Sequence, residues 1–214
     1  MDRNKVGAVL LAAGTSSRMG TAKQLLQLQK KTLLETVLDQ VLTHPFEKVY
    51  VVLGHRAEEI KNSVATSSEY VRWIDNPNYK EGQSTSILKA MNSLDSSVDS
   101  VMFFLTDQPF IRSNTVSKIL TVGCERMRHD SNPFVIRPTY KNKPGHPVFW
   151  GNVSGVPFSQ LSGDSGGKEI MHLMQKELVP VSDRYVLFDI DTPDDYKEAQ
   201  LHIKRATSIH KGGH

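Results

Sequence analysis

Short runs of apolar, often β-branched residues alternate along this chain with longer segments in which apolar positions recur three and four apart. That alternation predicts strands interleaved with helices: an α/β, three-layer architecture with a mostly parallel sheet and helices on both faces. Residues 6–13 read as a first, fully buried strand. Leu33, Leu34, Val37, Leu38, Val41 and Leu42 keep helical spacing and stop before Pro45. A second strand is predicted over 49–53, a short helix over 57–65, a third strand over 70–74, and a loop rich in Asn, Pro and Gly over 75–82. Ile87, Leu88, Met91 and Leu94 mark another helix, with Ser84 as its N-cap. A further buried strand, 101–105, runs directly into Thr106-Asp107-Gln108-Pro109.

Beyond a helix over 115–126 the pattern changes. Residues 134–137 and 147–150 flank Lys141-Asn142-Lys143-Pro144-Gly145, which predicts a small antiparallel hairpin inserted into the βα order. The small-residue run Ser162-Gly163-Asp164-Ser165-Gly166-Gly167 leads into a short helix over 168–176. A final strand over 186–190 and a closing helix over 193–206 follow, with Pro193 in the helix's first turn. With no internal repeat and no low-complexity linker, 1–207 read as a single domain and 208–214 as a disordered tail.

Charge and composition narrow the partners. Twenty-six Lys and Arg against 23 Asp and Glu leave a formal charge of +3, too little to hold nucleic acid by bulk charge but compatible with a local basic pocket. The longest apolar runs, 8–13 and 101–105, fall far short of the roughly 20 residues of a membrane helix. The expectation is therefore no nucleic acid and no membrane. One cysteine, Cys124, and no secretory pattern at the start make the cytoplasm the expected compartment.

The chemistry gathers at strand ends. Leu11-Ala12-Ala13-Gly14-Thr15-Ser16-Ser17-Arg18-Met19-Gly20, with Lys23 shortly after, lies at the carboxyl end of the first strand. Ligands of open parallel sheets sit there, and a Gly- and Ser-rich turn can aim its N–H groups at phosphate. A Walker loop is excluded by Met19 and a dinucleotide fingerprint by Ser16; a plain surface turn with two solvated cations fits the same letters. Asp107 leaves a strand with its carboxylate either capping the next segment or facing the crevice. Asp189 and Asp191 form a similar pair, although Asp or Thr before a Pro is also an ordinary helix start. Two such aspartates facing a basic turn are what Mg²⁺ needs alongside substrate phosphates.

In order, the 11–20 turn with Lys23, Gly82-Gln83-Ser84-Thr85-Ser86, Thr106-Asp107-Gln108-Pro109, Gly145-His146-Pro147-Val148, Gly163-Asp164-Ser165-Gly166-Gly167 and Asp189-Ile190-Asp191-Thr192-Pro193 resemble the molybdenum cofactor nucleotidyltransferases. The resemblance implies a Rossmann-like nucleotidyltransferase fold. Leu-Ala-Ala-Gly at 11–14 resembles the cytidylyl rather than the guanylyl enzymes, in the branch serving xanthine-dehydrogenase-type hydroxylases of purine catabolism. It implies transfer of CMP from CTP to the terminal phosphate of molybdopterin, with Mg²⁺ as cofactor and such a hydroxylase as partner.

By the same resemblance, Arg18 and Lys23 act on the triphosphate and, with Asp107, carry catalysis. Leu11, Ala12, Ala13, Gly14, Thr15, Ser16, Gln83 and Ser84 bind the nucleotide, with Ala12 and Ala13 near the base. Asp107 and Asp191 hold the metal, and His146, Asp164 and Lys168 lie toward the pterin. Lys168 stands where family members often carry Arg. Two other classes fit part of the pattern: a sugar-phosphate nucleotidyltransferase, sharing the turn and Asp107, and a non-catalytic cofactor carrier or insertion chaperone, which would not need Lys23, Asp107 and Asp191 together.

Overall fold

The computed structural model describes residues 5–16, 19–64, 66, 68–161, 163 and 166–211, with side chains described up to 205. Its strands are β1 (Val6–Ala12), β2 (Gln27–Leu28), β3 (Lys31–Thr32), β4 (Val49–Leu53), β5 (Val71–Asp75), β6 (Ser100–Leu105), β7 (Phe134–Tyr140), β8 (Lys143–Pro144), β9 (Val148–Gly151) and β10 (Gln175–Pro180). The helices are α1 (Leu33–Leu42), α2 (Ala57–Ser63), α3 (Gln83–Met91), α4 (Ser113–Met127), α5 (Lys168–Met171) and α6 (Pro193–Lys211). No helix among the described residues is long and apolar enough to cross a membrane.

The main sheet runs β10-β7-β9-β6-β1-β4-β5, with β8 paired to β7. β1 pairs in parallel with both β4 and β6, β4 with β5, and β7 with β10. β9 runs antiparallel to β6 on one side and to β7 on the other. Two reversals return β7 to the direction of β6, so the carboxyl ends of β1, β4, β6 and β7 share one edge of the sheet.

Strict alternation sorts side chains onto two faces. Ala8, Leu10, Ala12, Met102, Phe104, Phe134 and Ile136 face α1, α2 and α4, with Val37, Leu38, Ile60, Val116 and Ile119 packed onto them. Val9, Ala13, Val101, Phe103, Val135 and Trp150 face α3 and α5, with Ile87, Ala90 and Ile170. A third cluster, Leu28, Leu33, Ile190 and Ala199, seats α6 beside the β2–β3 hairpin. Thr32 caps α1 with a reciprocal box: its Oγ1 accepts from the Glu35 N–H, and its own N–H donates to the Glu35 carboxylate.

Several expectations need correction. The 134–150 insertion pairs antiparallel as expected, but it lies inside the main sheet, to which it supplies β7 and β9 with Trp150 buried. The expected helix over 168–176 ends at Met171, and the chain then enters β10. Residues 186–190 are not a strand but a 3-10 turn, Arg184–Leu187, followed by an irregular crossing. Val186 and Ile190 are fully buried there, while the backbone bonds go elsewhere: His146 N–H donates to the Val186 carbonyl and Ile190 N–H to the Asp107 carbonyl. Ser84 is not a cap but the second residue of α3, whose N-cap is Gly82. The closing helix continues through 208–211, the start of the expected tail, and 212–214 lie outside the described residues.

Candidate active site

The carboxyl ends of β1, β6 and β7 open into a cleft of about 860 Å³. Its floor is the α3-side register of the sheet: Leu11, Ala13, Leu105 and Arg137 line it, two residues on from buried Val9, Phe103 and Val135.

One half is built by the turn after β1. Ser16 has a left-handed backbone (φ 54°), its carbonyl accepts from the Met19 N–H and its Oγ from the Lys23 N–H (3.0 Å). The 3-10 turn Lys23–Leu25 follows. Its buried Gln24 donates from Nε2 to the carbonyls of Ala12 (2.6 Å) and Gly14 (3.3 Å), fixing the turn from beneath. Gly14 lines the cleft, and a Cβ added there would meet nothing within 4 Å, so the space in front of this turn is open. Gly54, by contrast, allows Tyr79 to approach: a Cβ would lie 2.5 Å from that of Tyr79. Tyr79 thereby joins the wall with Lys80 and Gln83.

Lys23 reaches across to two acids. Its ammonium lies 3.3 Å from Asp107 Oδ2 and also contacts Asp191 Oδ1. These residues are 84 and 168 positions away in sequence. The Ile190–Asp107 backbone bond (2.9 Å) holds the two aspartates side by side. Asp191 and Thr192 N–H groups in turn donate to Asp195 Oδ2, which is the capping partner of Thr192 at the start of α6. Burial pushes the Asp107 carboxyl upward against the pull of Lys23. Its Oδ1 is buried with no hydrogen-bond partner among the described residues. Asp189 is pushed up to about 6, first by burial and then by the Asp107 charge, while Gln108 donates to it at 2.7 Å.

Two carboxylates already gathered around one cation, one of them with an orphaned oxygen, suit a divalent ion. Among the described residues no group of three or more His, Cys, Asp or Glu is placed to hold a metal alone. The protein's share of a metal shell would be Asp107 and Asp191, with phosphate and water completing it.

The other half is made by β7, β8 and the 3-10 turn at 184–187. Arg137, Pro144, Gly145, His146, Val186 and Leu187 line it. His146 is half-buried and stays neutral, its pKa lowered to about 3 by burial and then by the Arg137 charge. Gly163 and Gly166 lie against α3: Ser84 N–H donates to the Gly163 carbonyl, and a Cβ on Gly166 would sit 2.6 Å from Gln83 Oε1.

Of the residues singled out from sequence, Leu11, Ala13, Gly14, Thr15, Ser16, Lys23, Gln83, Asp107, Asp191 and His146 line this cleft. Ala12 faces the opposite core and contributes only its carbonyl. Ser84 is buried within α3, and Lys168 is exposed at the start of α5, away from the cleft lining. Arg18 and Asp164 lie outside the described residues. Sequence reasoning missed Gln24, Tyr79, Lys80 and Arg137. A basic residue at an inward position of an otherwise apolar strand was the available signal for Arg137.

This sheet order, with an open glycine turn and paired aspartates at its carboxyl edge, is that of a Rossmann-like nucleotidyltransferase. The chain belongs to the MobA-like NTP transferase domain family, whose pattern matches residues 8–180. The molybdenum cofactor cytidylyltransferase of Escherichia coli is 27% identical over 197 residues, 91% of this chain and 95% of that protein. The structure of a homologue of Mycobacterium tuberculosis Rv0371c from Mycobacterium sp. strain JC1 superposes with a TM-score of 0.77 at 29% identity, covering 95% of this chain and 99% of that one. A manganese complex of Rv0371c itself shares the fold at a TM-score of 0.69 and 24% identity, covering 92% and 97%.

Proposed function

We propose that this nucleotidyltransferase moves CMP from CTP to the terminal phosphate of molybdopterin, releasing pyrophosphate and yielding molybdopterin cytosine dinucleotide. The observation that carries the reading is the meeting of Lys23, Asp107 and Asp191 in front of an open glycine turn. Both reactants are polyanions, so the task is to screen repulsion and align an in-line attack, without a covalent intermediate. Attack by an acceptor phosphate oxygen on the α-phosphorus forms one P–O bond as the bond to the pyrophosphate leaving group breaks.

Lys23, on a flexible stem, is free to exchange its carboxylates for triphosphate oxygens, and the N–H groups of the turn 14–16 take the remaining phosphate contacts. Arg18 adds a guanidinium to that set. Asp107 and Asp191 hold a divalent cation, Mg²⁺ in our reading, whose role when bound is to neutralise charge on the phosphates. Ala13, lining the floor, meets the base and favours cytosine, in keeping with the Escherichia coli relative. The acceptor lies toward His146, with Asp164 as its further contact in this reading, whereas Lys168, outside the cleft lining, has no part in holding it. The product serves a xanthine-dehydrogenase-type hydroxylase in the cytoplasm.

Pyrophosphate release from CTP, GTP, ATP and UTP, with Mg²⁺ and with or without molybdopterin, tests the proposal. Turnover of CTP that requires the pterin is expected; turnover with a sugar phosphate in its place, or none with any acceptor, would overturn it.

A further inference from the structure

Among the described residues, Arg137 is a charge without a counter-charge. Its guanidinium lines the cleft, donating from Nε to the Gly145 carbonyl (3.2 Å) and from Nη2 to the Pro144 carbonyl (3.3 Å). Those two bonds use part of a five-donor fork, and no carboxylate among the described residues pairs with it. Of the acids lining the cleft, Asp107 and Asp191 are engaged with Lys23 and Asp189 with Gln108, while Glu81 stands on the opposite wall with Tyr79 and Lys80 and makes no described ion pair with Arg137. Burial alone shifts the guanidinium, downward, with no opposing acid to offset it. Its neighbour on the wall, His146, is neutral and supplies no negative charge.

Packing does not explain the residue either. Val135 on the same face of β7, and Val148 and Trp150 across it on β9, are apolar and buried. A half-buried cation on such a face has given up part of its hydration, which an anion in the cleft would restore.

The sheet places that anion. Arg137 stands on β7, two strands from β6 and three from β1, about 10 and 14 Å away at the usual spacing. The triphosphate turn and Lys23 are therefore at the far side of the cleft, with the metal-binding pair between. The fork is also anchored by backbone, because Gly145 is pressed against the Val186 carbonyl so closely that a Cβ would lie 2.1 Å from it.

We propose that Arg137 binds the acceptor's phosphomonoester, gripping it from the side opposite Lys23 and so selecting a phosphorylated acceptor. This rests on the acceptor being a phosphate monoester, as the reading above requires. Inorganic phosphate is the simplest such group, and it probes the site whatever the acceptor proves to be.

In the full-length protein the Arg137 Nε–H NMR signal, identified by its loss in Arg137→Gln, should shift on titration with inorganic phosphate. It should do so equally in Lys23→Ala. A signal that phosphate leaves unmoved overturns the assignment, as does a response that disappears with Lys23. Titrations with molybdopterin and with its dephosphorylated form then separate this inference from the functional one. Arg137→Gln should weaken molybdopterin binding at least about tenfold, leave the dephosphorylated form and CTP within about twofold, and recover only in part as Arg137→Lys, which keeps the charge without the fork. Equal weakening of both pterins would make Arg137 a packing residue and end the proposal. A phosphate response in a parent protein that binds no molybdopterin would uphold the anion site and refute the acceptor named above.

Discussion

The two halves of the cleft are built by opposite means. The nucleotide half is an open turn, held from below by one buried amide, Gln24, with free space where a Gly14 side chain would be. The proposed acceptor half is a jammed contact between two backbones, Gly145 against Val186, with the Arg137 guanidinium propped on the carbonyls beside it. One half leaves room for a ligand to bring its own oxygens; the other presents a fixed charge. A transferase that must hold a flexible triphosphate and orient a rigid acceptor is served by that division.

The largest effect should come from the seam between the halves. Asp107→Asn keeps the shape and removes the charge, and turnover should fall by about 10²–10³-fold with a divalent cation present. Thermal unfolding should be unchanged or slightly raised, because the carboxylate is buried with one oxygen unpartnered. Steady-state pyrophosphate release and a melting curve on the same sample check both, and unaltered kcat would remove Asp107 from the chemistry.

The contrast itself is tested by a pair of glycines. Gly145→Ala drives a Cβ into backbone atoms of Val186 and should cost about 1–3 kcal/mol in urea unfolding. Gly14→Ala meets nothing and should stay within about 0.5 kcal/mol of the parent, while its added methyl intrudes on the phosphate space and weakens CTP binding. If Gly14→Ala destabilises as much as Gly145→Ala, the halves do not differ as described.

How far this was legible in the sequence follows the same line. The β1 turn, Lys23 and Asp107 could be read because a buried strand, its turn and its exit residue are contiguous in sequence. Residues 186–190 were misread as a strand because burial alone sets their apolar pattern; they pack against the sheet's end without a ladder, and that irregular crossing is what brings Asp191 to Asp107. β10 escaped notice because Gln175, Lys176 and Glu177 read as helix surface, whereas on an edge strand such side chains face water and block further pairing. Arg137 was passed over because its strand was read as one arm of a small inserted hairpin, on which a charge needs no explanation.

A pH series reports on the acceptor wall. His146 has its folded pKa lowered to about 3 from an ordinary 6.5, so the unfolded chain binds the extra proton first. The stability this group contributes is complete above about pH 6.5 and declines as pH falls toward 3. Between pH 6.5 and 5 the parent should lose on the order of 1 kcal/mol through this residue, after allowance for its partial exposure. His146→Gln should flatten that part of the urea-midpoint profile; coincident slopes would show that the imidazole is not held neutral by the wall.

The smallest effect concerns the choice of base. Ala13 lines the cleft floor with 5% of its surface exposed, and its carbonyl is tied to the His55 N–H at 3.4 Å. Removing the methyl leaves that backbone contact available while deepening the floor by one carbon, which helps a two-ring base more than a one-ring base. Ala13→Gly should therefore move the CTP-to-GTP ratio of kcat/KM toward GTP by a few-fold, under about 1 kcal/mol, because a single methyl in a pocket discriminates weakly. A ratio that stays fixed while both values fall would mean that Ala13 supports the turn and does not read the base. Base choice would then have to be sought on the Tyr79–Gln83 wall, the other face of the nucleotide half.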